Sequence, residues 1–293
     1  MLIRMFIALW RRLGHLPLVW LHTIGRTLGF FYWLLPNRER RTTLINLALC
    51  FPELSERQRK AMCRRALQQM GCSLMEFATI WFRPTAAVSG LVRQVSGEEH
   101  LQREPGQGLI VLLPHLGCWE IIGVVLPARE RVTSLYRPPR KRQLESLIKQ
   151  ARERSGSTLV PTENQGVKRI YQALQQGGTT CILPDQQPKT ARASVFAPFF
   201  GQPALTMLLI NRLARKTGAK IVIGYAERLP RGQGYHIHYQ PAPVGLDDAD
   251  PQRAAEVLNQ GLEVVIRQCP DQYQWSYKRF RSQPDDAPSP YRE

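Results

Sequence analysis

The chain has 293 residues, 43% hydrophobic and 22% charged, with no apolar run of spanning length after about residue 40. That excludes a disordered chain, a collagen-like one and a polytopic membrane protein. Forty Lys and Arg against 23 Asp and Glu leave a net charge of +17, which calls for an anionic partner: nucleic acid, an anionic lipid surface, a phosphorylated substrate or an acidic protein.

Six cysteines (Cys50, Cys63, Cys72, Cys118, Cys181, Cys269) form no CxxC pair, and no His-x3-His occurs. A reducing, cytoplasm-facing body without structural zinc is expected. At the N-terminus, Leu13 to Leu35 is apolar apart from His15, His22 and Arg26, with Trp10, Trp20, Tyr32 and Trp33 as an interfacial belt and Arg38, Arg40 and Arg41 following. A single span, a helix lying in the interface and a cleaved signal peptide all fit a segment of this kind. The signal reading lacks a small-residue cleavage site, and a span over residues 1–36 is the expectation.

Residues 55–82 predict a helix, with Ser55 as N-cap, Gln58 completing a capping box, and Met62, Ala66, Met70, Leu74, Phe77 and Trp81 as a packing stripe. From Gly108 the pattern becomes βαβ: strands at Leu109–Leu113, Arg131–Tyr136, Thr158–Val160 and Thr179–Leu183, helices at Trp119–Leu126, Lys141–Arg154 and Gly166–Gln176. Residues 184–203 read as a loop and Ala204–Lys216 as a helix. Lys220–Glu227 and Tyr235–Gln240 read as a hairpin on the sheet edge, Gln252–Gln268 as a closing helix, and 282–293 as a disordered tail. The fold class is therefore α/β, a mixed and mostly parallel sheet covered by helices. No GxGxxG and no Walker A sequence is present, so dinucleotide and P-loop chemistry have no motif. Neither a recognition helix nor interleaved aromatics on a basic face supports nucleic-acid binding.

Pro114-His115-Leu116-Gly117-Cys118-Trp119-Glu120 follows a buried strand and precedes a helix, where ligand sites of α/β sheets form. Glu120 in the first helical turn is expected to orient His115 as a base. The bland alternatives are a turn histidine bonded to backbone and a glutamate favoured at a helix start. Cys118 is a further candidate nucleophile without a base of its own.

The His-x4-Glu motif after a strand resembles that of glycerolipid-type acyltransferases. Together with Asn46-Leu47-Ala48-Leu49-Cys50-Phe51-Pro52-Glu53, Tyr136-Arg137-Pro138, Leu183-Pro184-Asp185-Gln186 and Val195-Phe196-Ala197-Pro198-Phe199-Phe200-Gly201, it makes the chain similar to the late lauroyl/myristoyl acyltransferases of lipid A biosynthesis. The resemblance implies a glycerolipid-acyltransferase-like domain over 37–281, behind the membrane helix, at the cytoplasmic face of the bacterial inner membrane. It implies transfer of an acyl chain from acyl carrier protein to a hydroxyl of a hydroxyacyl chain on the Kdo-bearing lipid A precursor, with no metal or other cofactor and no nucleic acid. The alternative is a same-fold enzyme acting on another lysolipid or aminolipid. The acidic carrier, the anionic acceptor and anionic membrane lipids would account for the basic charge. By position, His115 and Glu120 are catalytic. Arg154 (with Arg152 as neighbour) meets an acceptor phosphate or the oxyanion, Asp185 pairs with such an arginine, and Arg137 faces the acceptor. Phe196, Phe199 and Phe200 are left to core packing, and His236 and His238 to an edge strand.

Overall fold

The computed structural model describes residues 2–136, 145–188 and 193–291. Arg137, together with the first residues of the predicted 141–154 helix, lies outside them.

The N-terminal apolar stretch is not one helix. Helix α1 (Leu2–Leu13) ends in a turn, and α2 (Leu18–Leu34) restarts after Pro17, which sets the chain extended and supplies no amide hydrogen. Seventeen residues of α-helix reach about 25 Å, short of a hydrocarbon core of about 30 Å. Among the described residues no helix is long and apolar enough to cross a membrane; this corrects the expected span. Helix α2 is instead built into the fold. Leu21, His22, Gly25 and Gly29 are buried against α4 (Glu56–Phe82). A Cβ on Gly25 would sit 2.6 Å from the Gly71 carbonyl oxygen, and one on Gly71 2.0 Å from that of Gly25. The helices therefore touch backbone to backbone, an approach that small residues permit.

Helix α3 (Arg38–Cys50) is capped by Asn37, whose side chain accepts from the Arg40 amide. Helix α4 starts at the expected capping box, Ser55 and Gln58 satisfying each other's backbone amides. Its stripe divides: Met62 and Ala66 are buried, whereas Leu74 is 48% exposed. A short helix α5 (Thr85–Ser89) leads to β1 (Val92–Ser96).

Strands β2 (Leu109–Leu112), β5 (Thr179–Ile182), β8 (Lys220–Arg228) and β9 (Tyr235–Pro241) complete a five-stranded sheet in the order β1-β9-β8-β2-β5. Only β8 and β9 are antiparallel; β1 runs parallel to β9, and β2 parallel to both β8 and β5. The β8–β9 hairpin thus lies inside the sheet, and the edge is β1, whose Val-Arg-Gln-Val-Ser has three exposed residues and no apolar run to announce it. On the far side, β3 (Thr133–Tyr136) and β4 (Thr158–Pro161), with helix α7 (Glu145–Glu153) between them in sequence, form a parallel pair. A bridge between Val132 and Thr179 joins that pair to β5. Alternate residues of β2 feed two cores. Ile110 and Leu112 join the cluster under α3, α4, α8 (Asn164–Gln175), α9 (Leu209–Thr217) and α10 (Pro251–Gln268); Leu109 and Val111 join the cluster under α6 (Trp119–Val125). Both faces are covered, as a nearly continuous apolar strand requires.

Two further expectations fail. The 184–203 loop contains β6 (Ser194–Phe199), and Ala204 opens no helix, because β7 (Gln202–Met207) pairs with β6 in an antiparallel hairpin. Phe200 and Gly201 turn it with φ of 49° and 74°, the left-handed pair of a tight two-residue turn. The described part of the tail also packs on the body. Tyr291 is 7% exposed, its hydroxyl donating to the Asn46 side chain and accepting from the Phe280 amide, so the segment buries an aromatic ring despite its Pro/Asp content.

Candidate active site

His115 stands at the carboxyl end of β2, and Asp185 at the carboxyl end of the adjacent parallel strand β5. This register brings them together. The Asp185 carboxylate accepts from the His115 backbone amide at 3.0 Å and meets Nδ1 at 2.8 Å. Asp185 is 2% exposed. Burial pushes its carboxyl up, but the charge and hydrogen bonds of His115 more than offset it, leaving the group below its ordinary value. An ionised carboxylate only accepts, so Nδ1 carries the proton that meets it, and in the neutral form of the ring the lone pair is on Nε2. The Gln186 side-chain amide lies 3.2 Å from Nε2.

The surrounding turn is held by backbone contacts. The His115 carbonyl accepts from the Gln274 amide at 3.0 Å, and the Gly117 amide donates to the Gln272 carbonyl at 3.1 Å. Gly117 adopts φ +61°, and a Cβ there would lie 1.9 Å from the Ala226 carbonyl oxygen; only glycine fits. The 272–279 strap is fixed in turn by Asn46, whose amide donates to the carbonyls of Trp275 at 2.6 Å and Tyr277 at 2.8 Å. This is what Asn46 of the Asn46–Glu53 motif does.

His115 opens on a cavity of about 260 Å³ whose walls include Leu67, Met70, Leu74, Phe77, Trp119 and Trp275. The α4 side chains here were expected only to pack; the exposure of Leu74 is the sign that they also line a cavity. Trp119, its ring 4.8 Å from the His115 ring, also lines a second, narrower apolar cavity of about 90 Å³ with Leu135, Leu159, Leu183, Glu120 and Arg152.

Glu120 does not reach His115. Its two oxygens take the Arg152 guanidinium, with Nε at 2.6 Å and a terminal nitrogen at 2.9 Å, and the Trp81 indole donates to it at 3.3 Å. Burial lowers the affinity of Arg152 for its proton, but Glu120 more than restores it, and the guanidinium ends above its ordinary value. The expected orienting role of Glu120 thus passes to Asp185, and the expected arginine partner of Asp185 is replaced by His115. Pairing across strands is tertiary information that a four-residue spacing does not carry.

Arg154 is elsewhere. Its guanidinium donates to the carbonyls of Ile80 and Arg83, capping the end of α4, and to Ala151 at 3.2 Å. Desolvation lowers its pKa. Of the two arginines weighed, Arg152 faces the site and Arg154 is structural.

Cys118 is 3% exposed, and burial pushes its thiol well above the ordinary value, the opposite of an activated nucleophile. Phe199 and Phe200 pack in the core with Phe51, Trp275 and Phe280. His236 and His238 lie on the interior hairpin, where their donor atoms and that of Glu227 fall within 4.8 Å of one another. None of the three lines either cavity beside His115.

The family model for bacterial lipid A biosynthesis acyltransferases matches residues 1–282. Among curated proteins the chain is similar to the lipid A biosynthesis lauroyltransferase of Escherichia coli (strain K12), 29% identical over 94% of this chain and 90% of that one. It is 29% identical to the palmitoleoyltransferase of that strain over 87% and 84% of the two chains, and 26% identical to its myristoyltransferase over 90% and 82%. The strand-end histidine held by a buried carboxylate above an apolar cavity therefore sits in an acyltransferase of lipid A biosynthesis: the chain belongs to the bacterial lipid A biosynthesis acyltransferase family.

Proposed function

We propose that the chain transfers a fatty acyl group from acyl carrier protein to a hydroxyl of a hydroxyacyl chain on the Kdo-bearing lipid A precursor, without a metal or other cofactor. The observation that carries this reading is the His115 imidazole, fixed at Nδ1 by ionised Asp185 and presenting Nε2 to an apolar-walled cavity. The acceptor hydroxyl displaces the Gln186 amide and gives its proton to Nε2 as its oxygen attacks the thioester carbonyl. The tetrahedral intermediate expels the carrier's thiolate, and the imidazolium protonates it. General-base help of this kind contributes about 10²–10⁴-fold. Arg152, held in a fixed fork by Glu120, is the cation offered to developing charge beside the second cavity. Acyl chain lies along Met70, Leu74 and Phe77.

Membrane contact at the cytoplasmic face of the inner membrane is part of the reading. Trp20, Leu28, Phe31 and Leu34 on α2 and Leu35 at its end, with Met5 and Leu9 on α1, are large apolar side chains in solvent. An apolar face of this kind beside a basic body suits an interfacial helix on anionic lipid.

The test is mass spectrometry of a tetra-acyl lipid A precursor incubated with acyl carrier proteins loaded with chains of graded length, using wild type and His115→Ala. A gain of one acyl group in wild type only is expected. No gain with any carrier overturns the assignment of donor and acceptor.

A further inference from the structure

A second basic feature stands apart from His115. An open cleft of about 790 Å³ is lined by Pro36, Arg38, Arg40, Arg41, Thr42 and Lys278, among other residues, none of the described lining residues being acidic. Glu39 is the lone acid between residues 36 and 52, and its carboxylate accepts from the Tyr32 hydroxyl at 2.7 Å. Arg38 and Arg41 are exposed, whereas Arg40 is laid over the Trp33 ring, 4.4 Å from its centre. The size is that of a small-molecule site, and the charge is that of a receptor for a multiply charged oxyanion.

Position narrows the ligand. The exposed apolar face of α2 ends at Leu34 and Leu35, and Pro36, the next residue, is already a wall of the cleft. The cleft also adjoins the His115 cavity. Thr42 lines one and Thr43 the other, while Lys278 lines one and Ser276 the other, so α3 and the strap are common walls. A ligand here has its charge at the edge of an apolar surface and lies against two elements that also wall the cavity of the base. That is a phosphorylated lipid.

We infer that this cleft binds a phosphate monoester on the headgroup of the acceptor lipid and sets the acceptor's register against His115. The inference rests on the acyltransfer reading above. Removing arginines from a charge-assisted phosphate contact weakens binding about tenfold to a hundredfold.

The experiment measures acyl transfer to a lipid A precursor and to the same lipid after enzymatic dephosphorylation. It compares wild type, Arg38→Gln/Arg41→Gln, and a charge-matched control, Arg212→Gln/Arg215→Gln, on the exposed side of α9. Wild type is expected to show a KM at least about tenfold lower for the phosphorylated acceptor. The cleft variant loses that preference with kcat kept, and the control retains it. A wild-type preference near unity overturns the inference, as does its survival in the cleft variant or an equal loss in the control. Binding to phosphatidylglycerol vesicles is measured alongside. A cleft variant that loses vesicle binding yet keeps the acceptor preference assigns these cations to bilayer lipid and also overturns it. No product from either acceptor would instead sink the acyltransfer reading, and the inference with it.

Discussion

Among the described residues two histidines pair with a buried carboxylate, and the contrast between them separates structure from chemistry. His22 on α2 meets Glu76 on α4 at 2.7 Å, and Arg228 on β8 closes the group with two bonds to the same carboxylate at 2.7 and 2.8 Å. His22 is 2% exposed and Glu76 1%, and none of the three lines either cavity beside His115. His115 and Asp185 are as close, at 2.8 Å, but one imidazole nitrogen faces a cavity. A carboxylate beside a histidine is therefore no sign of catalysis by itself; access to the second nitrogen makes it one. The two groups touch the same turn, because Arg228 also donates to the Gly117 carbonyl at 2.8 Å. The helix carrying the exposed apolar face is thus fastened to the turn that carries the base.

The sharpest break of this comparison is in rate. His115→Ala and Asp185→Asn should each lower kcat/KM by about 10²–10⁴-fold in protein that remains folded, as expected of a base and the group that holds it. In the structural pair the same chemistry should appear as stability. Glu76→Gln leaves Arg228 buried without its counter-charge and should cost about 3–5 kcal/mol in denaturant unfolding. The pH dependence has a definite sign. Burial raises the Glu76 carboxyl, and Arg228 and His22 more than offset that, bringing it from 4.5 to about 2. Its stabilisation is complete above the unfolded value and drains as pH falls from 4.5 toward 2. Glu76→Gln should flatten that acid limb, and an acid limb identical to wild type would refute the pair's ionisation.

Smaller effects sharpen the same division. Gly71→Ala places a methyl against the Gly25 carbonyl and should destabilise by about 1–3 kcal/mol, read as a lowered thermal midpoint. Arg152→Gln should raise KM or lower kcat about tenfold or more by loss of a charge-assisted contact, an effect on rate beyond the stability lost by leaving the Glu120 carboxylate without its partner. Arg154→Gln should do the reverse: about 0.5–2 kcal/mol of stability, typical of a lost helix cap, with activity per folded molecule unchanged. A rate loss in Arg154→Gln equal to that in Arg152→Gln would contradict their separation.

What the sequence made legible was local. The capping box of α4, the strand–turn–helix around His115 and the β8–β9 hairpin each carry their signal within a few residues. What it hid needed distant partners. Strand β1 is mostly polar and is a strand because β9 offers it an edge. Ala204–Met207 is apolar in a way that serves helix or strand alike, and pairing with Ser194–Ala197 decides it. His22 interrupts an apolar run and looks like a flaw in a membrane helix until Glu76, 54 residues away, is brought against it. The site divides in the same way. His115 and Gly117 were legible from the turn, whereas the His115–Asp185 and Glu120–Arg152 pairings depend on which strands and helices are neighbours.

The most direct measurement is a pair of double-mutant cycles on kcat/KM, one between His115→Ala and Asp185→Asn, the other between His115→Ala and Glu120→Gln. If Asp185 acts by holding His115, the first double variant should be no slower than His115→Ala alone, while the Glu120 loss should persist when His115 is absent. Additive losses at Asp185 together with a Glu120 effect that vanishes in His115→Ala would return the orienting role to Glu120 and contradict the account.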